Sequence, residues 1–207
     1  MNILEFQKHL LPHPAFSLKD IRKVKADFNR IQITRWEKKG YLKKIKRGLY
    51  CFKSETANQH LLWYIANKMH ASSYISMETA LKHYGLIPEE IFQTTSVTTK
   101  KTETSKTSMG SFRYNHIKPN LYWGYRLMDF NQTKIRVAEP EKAILDYLYL
   151  HPSLKKDDDF NGMRINQNEF KNQVDLEKFK TYLTAFKNKQ LTKRAKIFLN
   201  VIRNDNT

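Results

Sequence analysis

Between positions 30 and 47 the chain carries Arg30, Gln32, Thr34, Arg35, Lys38, Lys39, Lys44, Lys46 and Arg47. Arginine and glutamine can form paired hydrogen bonds with the edges of guanine and adenine, whereas lysine and threonine hold phosphate oxygens. That mixture over so short a span suits a reader of duplex nucleic acid. Ser17 and Lys19, a little upstream, complete the candidate DNA-binding set.

The elements that must position these side chains are legible around them. Ile3, Leu4, Phe6, Leu10 and Leu11 mark a first helix, ended by Pro12 and Pro14. Ser17 with Asp20 three residues later is an N-capping pair, and Phe16 before it is the staple residue. Leu18, Ile21 and Val24 then recur every third residue, giving a short second helix. After a turn at Asp27 and Phe28, Asn29 caps a third helix over about 30–39, with Ile33 and Trp36 inward and Gly40 as its left-handed stop. Thr34, Arg35 and Lys38 lie on the face away from Trp36, with Gln32 and Lys39 beside them. Ile31 projects on the same outer side, where it either touches the second helix or meets a thymine methyl group.

Leu42, Ile45, Leu49, Cys51 and Phe52 flank a Lys46-Arg47-Gly48 tip, the pattern of a β-hairpin. A basic hairpin directly after such a helix is a wing, its tip meeting the DNA backbone or the minor groove. Residues 1–53 are therefore expected to form a winged helix-turn-helix. Cys51 is expected to be a packed strand thiol, since no histidine or acid nearby could make it a nucleophile.

Residues 54–58 read as a linker, and residues 59–207 as a second domain. Leu61, Leu62, Ile65 and Met69 mark one amphipathic helix. Ser76 caps another, with Met77, Ala80, Leu81 and Tyr84 inward and Gly85 as its stop, and Pro88 starts a turn or short helix. Four β-branched and aromatic runs follow, at 94–99, 111–117, 122–129 and 134–138, with turns at Gly110 and Asn131. Pro140 opens a helix apolar around most of its circumference, a polar loop spans about 151–167, and two helices close the chain. The expected class is α+β, a winged helix-turn-helix plus a C-terminal α+β domain with a small, mostly antiparallel sheet and packed helices.

Charge agrees with the site. The 207 residues hold 37 Lys and Arg against 20 Asp and Glu, a net charge of +17 that attracts polyanions. Residues 1–53 hold fourteen of those cations against four acids, a net of +10, and leave +7 for the other three quarters. The longest apolar run, Leu61 to Ala66, is far too short to span a bilayer. Glu5 stands where a signal peptide has basic residues, and a single cysteine fits a reducing compartment, so a cytoplasmic protein without a membrane partner is expected.

Four ordered blocks carry a family resemblance. They are Arg-Trp-Glu-Lys-Lys-Gly-Tyr-Leu-Lys-Lys-Ile-Lys-Arg-Gly-Leu-Tyr (35–50), Tyr-Ile-Ser-Met-Glu-Thr-Ala-Leu-Lys-His-Tyr-Gly-Leu-Ile-Pro-Glu (74–89), Phe-Arg-Tyr-Asn-His-Ile-Lys-Pro (112–119) and Ala-Glu-Pro-Glu-Lys-Ala-Ile-Leu-Asp (138–146). Together they resemble the AbiEi antitoxin family over about residues 16–150. The resemblance implies an antitoxin of a type IV toxin–antitoxin or abortive-infection module and no enzyme. It implies that the winged helix represses its own operon by binding double-stranded promoter repeats. It implies that the C-terminal domain counters a nucleotidyltransferase-like toxin, for which a stable complex is not required, and a monomer in solution fits pairing on DNA only.

Other chemistry is weaker. Asp157, Asp159, Asn161 and Gly162 match an EF-hand calcium loop until its twelfth position, where Asn168 replaces the required glutamate. Glu139, Glu141 and Lys142 contain the residue types of a metal-dependent nuclease, although the acids also suit a helix N-terminus. The seven histidines include no pair at metal-binding spacing with a third ligand, so no metal or other cofactor is expected. His116 is read as making a structural hydrogen bond, or as part of a toxin-related surface. Capture of RNA, such as a tRNA, stays open as an alternative to DNA binding, with the nuclease behind it.

Overall fold

The computed structural model describes residues 2–10, 12–55 and 57–204, so Leu11 of the expected first helix and Thr56 of the expected linker lie outside the described residues. The chain is α+β. It opens with α1 (Ile3–Leu10), β1 (Ala15–Ser17), α2 (Leu18–Val24) and α3 (Ile31–Lys38), followed by β2 (Leu42–Lys46) and β3 (Leu49–Phe52). Strands β2 and β3 pair antiparallel, Leu42 opposite Phe52 and Lys46 opposite Leu49, around a tip at Arg47 and Gly48. Strand β1 adds to the far edge of β3, with Phe16 opposite Tyr50.

Phe6 is the hub of this part of the molecule. Its ring lies 5.4 Å from Phe16, 5.8 Å from Phe28, 4.6 Å from Trp36 and 5.8 Å from Phe52. One fully buried aromatic on α1 thereby ties α3 to the strands. Val24, expected inward, is 42% exposed. Two steps of three residues leave it roughly 120° around the helix from Leu18, so a seven-residue helix buries only Ile21 fully.

The remainder comprises α4 (Gln59–Met69), β4 (Ser73–Ile75), α5 (Met77–His83), β5 (Gln93–Thr98), β6 (Glu103–Thr107) and β7 (Gly110–His116). Then come β8 (Tyr125–Phe130), β9 (Thr133–Ala138), α6 (Pro140–Leu150), α7 (Asp157–Asn161), α8 (Gln167–Gln173), α9 (Leu176–Ala185) and α10 (Lys189–Asn204). The six strands form one sheet in the order β6-β7-β5-β4-β9-β8. It is mixed, with three of its five pairings antiparallel as expected, while β5 pairs with β7 and β4 with β9 in parallel. Alternation along the strands divides the core. Phe112, Tyr114 and Ile135 meet α4 on one face, while Val97, Ile117 and Ala138 meet α5 and α6 on the other.

Several local expectations change. Between 151 and 167 the chain is not all loop, since α7 forms there and buries Phe160. Three helices close the chain instead of two, because α8 anchors Phe170 in the same core. Ser76 occupies the position before α5, but its hydroxyl makes no capping bond and donates to Asp146 Oδ2 at 2.8 Å. No helix or strand forms between 86 and 92 after Gly85, whose φ is +68°.

The two parts of the chain share a core. Ala15, Ile45, Leu49 and Cys51 pack in one cluster with Leu61, Ile65, Met109 and Phe112. Lys68 on α4 pairs with Asp20 on α2 at 3.0 Å, and Ser108, at the β6–β7 turn, donates to the Lys44 carbonyl at 2.8 Å. Asn58, in the expected linker, caps α4 by accepting from the Leu61 amide at 2.9 Å. Among the described residues no helix is long and apolar enough to cross a membrane.

Candidate nucleic-acid interface

The face is built outward from the Ser17–Asp20 cap. Asp20 Oδ2 accepts from the Ser17 amide at 2.8 Å and from the Ser17 hydroxyl at 2.7 Å, and Ser17 Oγ in turn accepts from the Asp20 amide at 3.3 Å. This reciprocal cap fixes the start of α2. Burial pushes the Asp20 carboxyl up, but the Ser17 hydrogen bonds and the Lys68 ammonium outweigh it and hold the group below the usual carboxylate range. Ser17 is expected to contact DNA, yet its hydroxyl is already engaged in the cap. Lys19, next to it on α2, is exposed.

Helix α3 presents the selected side chains. Ile33 and Trp36 are buried against α1, and Gly40 ends the helix with φ +75°, its amide donating to the Glu37 carbonyl at 3.0 Å. Asn29 acts one residue before the cap position, its side chain accepting from the Ile31 amide at 2.9 Å. Anchoring from below turns the opposite face to solvent. Arg30, Thr34, Arg35, Lys38 and Lys39 are exposed, and Gln32 is half-buried beside them.

The hairpin extends the charged surface. Lys44 and Arg47 are exposed and Lys46 is half-buried, with the register shifting between Lys44 and Lys46. That irregularity drops Ile45 into the core while its neighbours stay near solvent. Gly48 holds φ +83°, a backbone setting at the tip that suits a residue without Cβ. No selected cation from Arg30 to Arg47 forms an ion pair with another described residue. Their charge stays available to an outside anion.

The other constellations resolve differently. Glu139 and Glu141 do converge, but on a lysine. Lys178 Nζ lies 2.7 Å from Glu139 Oε1 and 3.9 Å from Glu141 Oε2, and Tyr182 OH donates to Glu139 Oε2 at 2.5 Å. Lys142 points elsewhere, wholly buried beside Asp146 and Tyr74. Asp159 sits inside α7, accepting from the amides of Lys155 and Lys156 at 2.7 and 2.9 Å, which hold its carboxyl below the ordinary range. His116 Nδ1 lies 2.9 Å from the Lys100 carbonyl oxygen, a structural hydrogen bond. Burial pushes the Cys51 thiol up to about 11.

One feature escaped sequence reading. A cavity of about 570 Å³ opens beside β5 and β7 and collects Glu78, Gln93, Arg113, Asn115 and His151. Its residues come from segments far apart in sequence, so no local spacing announces it. Compared with known proteins, the chain matches no family model and no curated protein.

Proposed function

We propose that residues 1–53 act as a winged helix-turn-helix that binds double-stranded DNA, and that the chain is a transcriptional regulator. Helix α2 and helix α3 supply the helix-turn-helix, α3 enters the major groove, and the β2–β3 hairpin is the wing. The observation that carries this reading is the exposed row of Thr34, Arg35 and Lys38 on α3, continued by Lys44 and Arg47 on the hairpin, with no acid of the described chain neutralising it. The local excess of +10 in residues 1–53 supports the same reading.

Within it, the chain is an autorepressor of its own operon and the antitoxin partner of a nucleotidyltransferase-like toxin. This part rests on the resemblance of the four sequence blocks to the AbiEi antitoxin family. Residues 59–207 are then the neutralising domain, and Lys19, Arg30, Gln32 and Lys39 join Arg35 and Lys38 around the groove.

A gel-shift assay with the upstream DNA of its own gene tests the proposal. The Arg35→Ala, Arg47→Ala pair should abolish the shift while leaving toxin neutralisation intact. Unchanged DNA affinity in that variant would show that the face is misassigned. Tighter binding to tRNA than to the duplex at physiological salt would favour the RNA-capture alternative.

A further inference from the structure

Ile31 stands at the first position of α3 with 58% of its surface exposed. It is absent from the core that takes Ile33 and Trp36 and from the partly buried side chains packed on that core. More than half of its surface thus stays in solvent. At about 100° per residue, positions 31, 34, 35 and 38 fall within an arc of roughly 100°. One exposed stripe thus begins with a branched aliphatic side chain and continues through Thr34 and Arg35 to Lys38. The Asn29 side chain fixes the backbone of that first turn through the Ile31 amide.

An apolar side chain has one matching feature on the major-groove edges of the bases, the 5-methyl group of thymine. Residues at the N-terminal end of a recognition helix are the ones that reach those edges. We infer that Ile31 reads a thymine methyl group and thereby makes this face selective for DNA over RNA. The inference rests on the duplex-DNA reading proposed above. Uracil lacks the methyl group, and the deep, narrow major groove of A-form RNA does not admit side chains to its base edges.

The test uses the full chain. A preferred site is first selected from random DNA duplexes, and each thymine in it is then replaced singly by deoxyuridine, which removes only the methyl group. At one thymine the wild-type dissociation constant should rise about fourfold, the worth of burying a single methyl group. Ile31→Ala, an exposed change that leaves the core intact, should bind the thymine and deoxyuridine duplexes equally, and Ile31→Val should keep part of the discrimination. Wild-type indifference to deoxyuridine at every position overturns the inference and leaves DNA reading in place. So does an unchanged fourfold difference in Ile31→Ala. Failure to select or bind any duplex overturns both.

Discussion

Lys142 and Asp146 stand one turn apart on α6, neither with any exposed surface, and the ammonium of the first is bonded directly to the carboxylate of the second. The other carboxylate oxygen of Asp146 accepts from Tyr74 OH and from Ser76 Oγ, both at 2.8 Å. Lys142 Nζ also donates to Tyr74 OH at 2.9 Å and lies 5.1 Å from the Trp123 ring centre and 4.8 Å from that of Phe186. Burial pushes the lysine below its ordinary range, and Asp146 acts against that shift. The cluster fastens α6 to β4 and to the start of α5.

Removing one partner of such a pair should cost far more than removing both. Asp146→Asn leaves an uncompensated buried ammonium and should lose about 3–5 kcal/mol of stability. The Lys142→Met, Asp146→Asn double variant keeps an acceptor for Tyr74 and Ser76 while eliminating both charges, and should lose less than half as much. Urea unfolding followed by tryptophan fluorescence reads both. A loss below about 1 kcal/mol in Asp146→Asn would contradict the role given to the pair.

Asp20 gives a pH dependence. Its carboxyl is held below the usual range in the folded chain, so its contribution is complete above the unfolded value of about 3.9. That contribution disappears as pH falls through the lower folded value. Asp20→Ala removes the N3 half of the reciprocal cap and the partner of Lys68, and should cost roughly 1–2 kcal/mol at pH 7. The gap between variant and wild type should narrow steadily below pH ~4. A gap that is constant between pH 7 and pH ~3 would mean that the charge of Asp20 contributes nothing.

The same cap shows why the exposed face of α3 was legible in the sequence. Ser17 and Asp20 are three residues apart, as are Ile33 and Trp36, so cap and buried face are both written in local spacing. Strand β1 was not legible because three residues cannot display an alternation, and its partner β3 lies more than thirty positions away. The two parallel pairings and the cavity beside β5 and β7 are likewise products of distant segments. Lys142 did leave a signal. On a helix apolar around most of its circumference, a lysine and an aspartate four residues apart have each other as nearest partners, and that spacing is visible in the sequence.

Cys51 should be chemically silent in the folded protein. Its side chain is wholly buried and, with the thiol at about 11, only about one molecule in a thousand carries the thiolate at pH 8. A disulfide reagent such as Ellman's should not titrate it on mixing with the native chain. It should titrate one thiol per chain in strong denaturant. Rapid native labelling would place the hairpin core in open exchange with solvent.

Lys44 and Arg35 should separate when DNA binding is followed against salt. A lysine near the hairpin tip that meets phosphate contributes about 0.9 to the slope of log affinity on log salt. Lys44→Ala should therefore flatten the slope by that amount and weaken selected and random duplexes alike. Arg35 stands mid-face on α3, where a paired contact to a base edge is worth about 1–3 kcal/mol of discrimination. Arg35→Ala should consequently bring the selected duplex closer to a random one. If Arg35→Ala weakened every duplex equally while Lys44→Ala erased the preference, the hairpin would be reading bases and α3 would only be holding the backbone.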